Sequence, residues 1–586
     1  MCVAREGSSR RDFKVVRTNS MKQIMLVAMC LFSFCAVAAE VSLLDYGAIP
    51  NDGRNDLAAL RDAAQYCREH ADTTLVLPPG VYDVEDDAAV KLMNDVIGGA
   101  YGNDPQRVLY QPDFPHVRIL DFTGAKNLTV RADGATLLQD GWYQPVTLDN
   151  CDTVTLRGLT IEHKRMPFST GKIINVERGR YDVQFEERFP MPKGKLCVFL
   201  LREWDPVRRV YTGTEHWGPG SKALSGDTFC FFGKCDPGEL GQYAVAQHSA
   251  HGAAGIMIRY SKDIVLEDVS IHSHPGMGVV GHRIQNLTMH RLRIVPRAGE
   301  LVSTNTDATH FTSCTGTILY DACQFEGQGD DCSNVHGYYQ TVKEKLSDTR
   351  CRAYVKKQST LHALSNDCPL PGETMELVSA ATLKPFSTRK VVGATLDEDK
   401  RSWVIEFDAA LPEGGPDYQL MNVSALPKLI IRDCQVRTHR ARAFLVKTRD
   451  VLIEGCTIEN STLTAIHVGA EGGWDEGAAS QNVTIRRNRI IDCGGLKGGP
   501  GSVSSIAINV SCDKPTESGL HQHILIEDNQ FVGASTESAI QVEGADDVLI
   551  QRNQFDANKK PVRVEYSTNV RIEGNTGPGG EAITAP

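Results

Sequence analysis

The chain lacks a surplus of basic residues: Lys and Arg number 62 against 73 Asp and Glu, a net charge of −11. Nucleic acid and anionic membranes reward basic surfaces, so neither is an expected partner. Past the leader, no stretch reaches the roughly 18 consecutive apolar residues that a membrane span needs, which excludes a spanning helix from the expectation. Aromatics are few, at 7%, while glycine is plentiful at 52 positions, a balance that suits strands and turns. None of the 17 cysteines shows the CxxC spacing of zinc or redox work. Neither a phosphate-cradling loop nor a Ser or Cys nucleophile arrangement rises above chance.

What is present begins with an export signal. Met21-Lys22-Gln23 precedes an apolar run, Ile24–Val37, which ends in Ala38-Ala39-Glu40. That is the order of a secretory leader. Residues 1–39 are therefore read as a mis-assigned start followed by a signal peptide, about Met21–Ala39, and the mature chain is expected in the periplasm or outside the cell. Bulky Met29 argues against lipidation at Cys30. The fourteen cysteines beyond the leader sit inside repeat units, as at Cys323, Cys434 and Cys456, where a small buried residue is wanted.

The repeat decides the fold. A nine-residue unit of alternating apolar residues, a charged pair, then Asn or Cys recurs at Thr153–Ile161, Asp263–Ile271, Asn286–Ile294, Lys428–Val436, Asp450–Ile458, Asn482–Ile490, His523–Phe531 and Asp547–Phe555. The period of two excludes a helical repeat. Adjacent copies start roughly 22 to 24 residues apart, the length of one solenoid coil. The expected fold is all-β, a right-handed parallel β-helix, in which Asn488, Asn529, Asn553 and Asn575 stack as an internal ladder. The segment Asp56–His70 reads as an amphipathic helix that caps the first coil. Cap and first coils span 40–169 and the middle coils 233–341, with the last coils over 424–586. Two stretches without the repeat, 170–232 and 342–423, are read as inserted small β-barrel or sandwich subdomains.

One coil separates Asp307 from the pair Asp330-Asp331, which puts three carboxylates on neighbouring rungs, roughly 5 Å apart along the axis. Crowded carboxylates repel, so one is expected to keep a proton while another stays ionised. Glycoside hydrolysis needs that division, an acid for the leaving oxygen and a base for water. Single aspartates in such turns commonly cap the backbone, and clustered ones can hold calcium; the triple cluster with His310 and His336 nearby favours catalysis. Trp474 and Glu471, in a loop on the same side, are candidates for sugar contact, with Trp474 offering a face for stacking. His163 and the pair His272 and His274 are weighed as groove-lining or as turn-bonding residues.

Asn305-Thr306-Asp307, Gly329-Asp330-Asp331-Cys332 and Val446-Lys447-Thr448 resemble the pattern of polygalacturonases. The fuller resemblance is to family 110 glycoside hydrolases, through Asp45–Leu60, Leu75–Asp83, Asp121–Leu138, Ile161–Gly171 and Ser303–Phe311, and it covers nearly the whole mature chain. It implies an inverting exo-α-1,3-galactosidase acting on terminal galactose, of blood-group B or linear Galα1-3Gal type, with no cofactor or metal. The catalytic set it implies is Asp307, Asp330 and Asp331, with Asp330 as acid and the other two activating water. His310, His336, Lys447, Trp474 and Glu471 are the expected substrate-binding residues, and a homodimer is allowed by analogy. The polygalacturonase Gly-His-Gly segment and its uronate-reading base have no counterpart, which favours a neutral galactoside. A polysaccharide lyase, a polygalacturonase-like hydrolase and a non-catalytic glycan-binding solenoid are the alternatives.

Overall fold

The computed structural model describes residues 39–583 apart from 112–113, 208–209, 357–366, 399–400, 414–416, 495–502, 514–518, 534–537 and 558–560. The expected signal peptide, save Ala39, and the Cys30 position lie outside the described residues.

Each nine-residue unit is a strand, a two-residue bend whose first residue is left-handed, and a second strand. In Asp450–Ile458 these are Val451–Glu454 and Thr457–Ser461, joined through Gly455 with φ +67°. The same left-handed bend recurs at Asp433, Arg487, Asp528 and Arg552. Asp and Arg adopt it at some cost, which the ladder bonds on either side offset. The first strands stack into a 13-stranded sheet from Ala39–Ser42 to Thr568–Glu573, and the second into another of 13 that starts at Gly80–Glu85. A third sheet, from Arg118–Asp121 to Val562–Glu565, closes each coil. Crossovers between parallel strands are right-handed almost without exception; the body is a right-handed parallel β-helix.

At the second residue of each bend a side chain points into the core. Asn488, Asn529 and Asn553 each donate through Nδ2 to the next asparagine's Oδ1 at 3.0 Å, the last to Asn575. Every oxygen also accepts a backbone N–H from the rung before, so the buried amides are satisfied. No disulfide joins the fourteen described cysteines, and most are buried in this core.

The cap is α1 (Leu57–Glu69), whose Leu57, Leu60, Ala64 and Cys67 are buried beside the first rung of the third sheet. A second helix, α2 (Asp87–Ile97), has no counterpart in the sequence reading. The Asp86 carboxylate accepts from Ala88 N at 2.9 Å to start it, and its apolar face packs away from the solenoid, on the first insertion.

That insertion is an open seven-stranded antiparallel sheet running from Phe168 to Gln247, so it takes in more chain than 170–232. Tyr243–Gln247 belongs to it because this strand pairs with both Phe168–Glu177 and Leu200–Asp205. The second insertion is a closed six-stranded barrel: the long strand Ser333–Lys345 leaves the third sheet, enters the barrel and pairs with Tyr418–Asn422, which closes it.

Candidate active site

The cluster is built by register. Thr309 pairs with Ser333, and Ser333 with Phe444, in parallel strands of the third sheet. Asp307, Asp331 and Arg442 therefore stand two positions before three aligned strands, on consecutive rungs; Ala308 N donates to Asp331 O at 2.9 Å and Cys332 N to Arg442 O at 3.0 Å. Alternation sends Phe311, Val335 and Val446 into the core, while His310, Asn334 and His467 fall on the outer face. Gly329 cannot be replaced without moving the turn: a Cβ there would sit 1.9 Å from the Asn305 carbonyl oxygen.

Asp307 is buried and linked through Oδ2 to His310 Nδ1 at 2.7 Å. His310 Nε2 lies 2.8 Å from His336 Nε2, and His336 Nδ1 donates to the Gly337 carbonyl at 3.0 Å. Burial pushes His336 down to about 3 and so keeps it neutral, and its Nε2 therefore accepts while His310 Nε2–H donates. One proton then serves the Asp307–His310 link. Burial pushes the Asp307 carboxyl up to about 7 against the pull of His310, with Asp330 and Asp331 adding repulsion. His310 is raised in turn, because its bond to Asp307 outweighs its own burial. Removing His310 removes the group that lowers Asp307. His310→Ala should therefore move the acidic limb of the kcat/KM profile to higher pH, with more activity lost at pH 6 than at pH 8. An unmoved limb would detach the histidine from that titration.

Asp331 is clamped. Arg442 donates to its Oδ1 from the backbone N at 2.9 Å and from Nε at 3.0 Å, and to Oδ2 from a guanidinium N at 2.9 Å. Three of about four lone-pair sites are taken, which leaves room for one water. The other end of Arg442 meets Glu471 at 2.9 Å. Asp330 accepts from Arg440 at 2.8 Å, and Arg440 is held by Glu215 of the first insertion at 2.5 Å. Its side chain keeps 32% of its surface, against 7% for Asp307 and 4% for Asp331. Burial of its surroundings raises the Asp330 carboxyl, with Arg440 opposing and Asp331 assisting.

Lys447 corrects the sequence reading. Its side chain has no exposed surface, and the ammonium is divided between Glu471 at 2.7 Å and Glu476 at 2.5 Å, so it cannot touch a sugar. His336 is likewise sealed from solvent. Burial alone would raise Glu476, but His336 and Lys447 outweigh it and hold the carboxyl at about 2. Glu471 is also held well below its usual range, burial being overcome by Lys447 and Arg442. Trp474 is half-exposed in a short 3-10 turn between these two glutamates. His163 and His274 are buried, with His163 bonded to Ser273 and His274 to the Tyr143 carbonyl, and His272 is bonded to the Val295 carbonyl.

Sequence reasoning missed Arg440, Arg442, Glu476 and Glu215. Arg442 could have been found by cutting out 342–423 and aligning the coils, which sets it under Asp331. Glu215 had no such signal. The exposed Trp217 was missed as well: Arg440 lies 5.7 Å from its ring centroid, and its Nε1 donates to Glu215 at 3.0 Å.

His310, His336 and Glu476 bring three possible metal ligands together. The Lys447 ammonium, already on Glu476, supplies the positive charge an ion would bring. Six carboxylates, Asp307, Asp330, Asp331, Glu215, Glu471 and Glu476, thus meet four fixed cations, Arg202, Arg440, Arg442 and Lys447, leaving a site that favours a neutral ligand over an anionic one.

Residues 420–577 match the model of the right-handed β-helix region. Over 545 residues the chain is 27% identical to alpha-1,3-galactosidase A of Bacteroides fragilis, covering 87% of each. It is 26% identical to alpha-1,3-galactosidase B of Bacteroides thetaiotaomicron, covering 80% of this chain and 78% of that one. With alpha-1,3-galactosidase A of Shewanella woodyi it shares 25%, covering 97% and 95%. Among solved structures, an exopolygalacturonase from Thermotoga maritima aligns over 92% of both chains at 11% identity, with a TM-score of 0.44.

Proposed function

We propose that this chain, whose curated relatives are named alpha-1,3-galactosidases, removes terminal α-1,3-linked galactose from glycans by an inverting mechanism. The carrying observation is the split among three neighbouring carboxylates: Asp331 clamped by Arg442, Asp307 poised at about 7 on a histidine, and Asp330 raised and the most exposed. Such a split supplies acid and base from one residue type.

Asp330, at the open side, protonates the glycosidic oxygen as the aglycone leaves. Asp307 takes the proton of a water that attacks the anomeric carbon from the opposite face, and His310 steadies that carboxyl through the shared proton. Asp331 orients the water with its remaining lone pair. Attack by water, with no bond from carboxylate to sugar, yields β-galactose from an α-galactoside. The net anionic site supports a neutral sugar over a uronate. Arg202 and Glu215 bring the first insertion against Asp330, and Tyr338 pairs with Glu476 at the base of the barrel, which suits a pocket for a chain end. Terminal galactose on a glycan is met outside the cytoplasm, in keeping with the export expected from Met21–Ala39.

The test is incubation with Galα1-3Gal, its α1-4 and α1-6 isomers and digalacturonate, followed by NMR. The reading expects β-galactose first, from the α1-3 disaccharide above the others. First appearance of the α-anomer would end the inverting scheme, and no galactose from any isomer would end the assignment. Trp217, exposed beside Arg440, is placed to stack on the sugar beyond the cleaved bond. Trp217→Ala should raise KM about tenfold, roughly 1.4 kcal/mol, with kcat nearly unchanged. Steady-state kinetics on the disaccharide would read this directly, and a fall in kcat alone would remove Trp217 from binding.

A further inference from the structure

The first insertion carries a second cluster of chemistry that the hydrolytic site does not use. Its sheet has two faces. Trp204, Tyr211 and Val245 pack toward the solenoid, against Leu301 and Val302, and Arg202 and Glu215 on the same strands reach the Arg440–Asp330 pair. Leu201, Tyr181, Phe229 and Phe231 form the other face. A bulge between Arg202 and Trp204 sets Glu203 apart from the regular pairing, and Leu201 lies opposite His216. On that outer face one atom each of Glu203, His216, Cys235 and Glu239 gathers so that all lie within 4.8 Å of one another.

We propose that Glu203, His216, Cys235 and Glu239 bind one Zn²⁺ and staple the Val210–Trp217 hairpin strand to the segment after Phe232. Thiolate, imidazole and carboxylate in a fourfold set are the ligands zinc takes in closed, structural sites. The contacts among them are those of ligands holding protons in place of an ion: His216 Nε2 to Glu203 at 2.9 Å and to Glu239 at 3.6 Å, and the Cys235 thiol donating to Glu239 at 2.7 Å. Three of the four groups carry negative charge when ionised, and among the described residues no Lys or Arg forms an ion pair with any of them. The active-site trio differs on that point, since Lys447 sits on Glu476.

Tyr181 gives an independent sign. It is completely buried, its ring lies 4.8 Å from His216, and its hydroxyl has no hydrogen-bond partner while facing the charges of Cys235, Glu203 and Glu239. A hydroxyl left unpaired inside a protein is costly, and a carboxylate oxygen held ionised by the ion would be an acceptor for it. The ion would act at a distance from the chemistry, by fixing the strands that hand Arg202 and Glu215 to the catalytic side. This separates it from the metal-free hydrolysis expected from the sequence.

The full-length mature protein, stripped by chelator and dialysed with Zn²⁺ alone, should retain about one zinc per chain by plasma mass spectrometry. Zinc should raise its Tm, because the ion binds the folded state. With Co²⁺ in place of zinc, a thiolate-to-metal absorption band should appear. Cys235→Ser and Glu239→Gln, both in the connection between the strands Thr228–Phe232 and Tyr243–Gln247, should bind zinc at least about tenfold more weakly. Cys235→Ser should also lose the cobalt band, and both should match the chelated wild type in Tm. If a variant proves unstable without metal, the wild-type cobalt spectrum decides alone. Absence of that band, or equal zinc retention by wild type and both variants, overturns the site.

Discussion

Asp330→Asn should lower kcat/KM on the α1-3 disaccharide by about 10²–10⁴-fold, the range that positioned acid–base catalysis supplies. The loss should nearly vanish on an aryl α-galactoside whose phenolate departs without help. Asp307→Asn, in contrast, should lose activity equally on both substrates, because the water needs its base whatever group leaves. The structure supports this pairing of variants. An asparagine at 330 keeps an oxygen for Arg440, now 2.8 Å from Asp330 Oδ1, and Arg440 retains Glu215, so the network survives the change. Steady-state rates on the two substrates decide between roles. If Asp307→Asn is the variant rescued by the good leaving group, acid and base are exchanged.

The second large effect falls on stability. Lys447→Met should destabilise the protein by about 3–5 kcal/mol, since removing one partner of a buried pair strands the other charge. Two carboxylates, Glu471 and Glu476, lose their ammonium at once, and the Lys447 side chain has no surface through which water could replace it. The pH dependence gives the effect a signature. Glu476 is held at about 2 in the folded protein against an ordinary 4.5. A depressed carboxyl adds stability that is present above the unfolded value and lost as pH falls through the folded one. Wild type should therefore weaken between about pH 4.5 and 2, while the variant, which keeps the His336 part of that contribution but has lost the Lys447 part, weakens less. The Tm difference between them should shrink over the same interval. A constant gap would show that lost packing, and not charge, is the cause.

Much of the fold was legible in the sequence. Val451, Ile453 and Ile458 point inward because a strand alternates and the bend at Gly455 resets the phase, both local matters. The asparagine ladder was legible for the same reason: identical residues one coil apart must stack. The helix Asp87–Ile97 was not, because its apolar face is satisfied by an insertion, away from the repeat that governs its neighbours. The first insertion outran its expected end, since Tyr243–Gln247 is a strand whose partners lie far back in the chain.

The candidate site divides along the same line. The sequence by itself determined a coiled all-β body and put Asp307, Asp330 and Asp331 on adjacent coils, because the repeat counts residues and carries register from one rung to the next. Only the tertiary structure decided what surrounds them. Arg442 reaches Asp331 across 111 positions and Glu215 reaches Arg440 across 225, through insertions whose lengths bear no relation to the repeat. It also turned Lys447 from a sugar ligand into a buried counter-ion. Charge and burial are properties of the assembled neighbourhood, and they set which carboxylate keeps its proton.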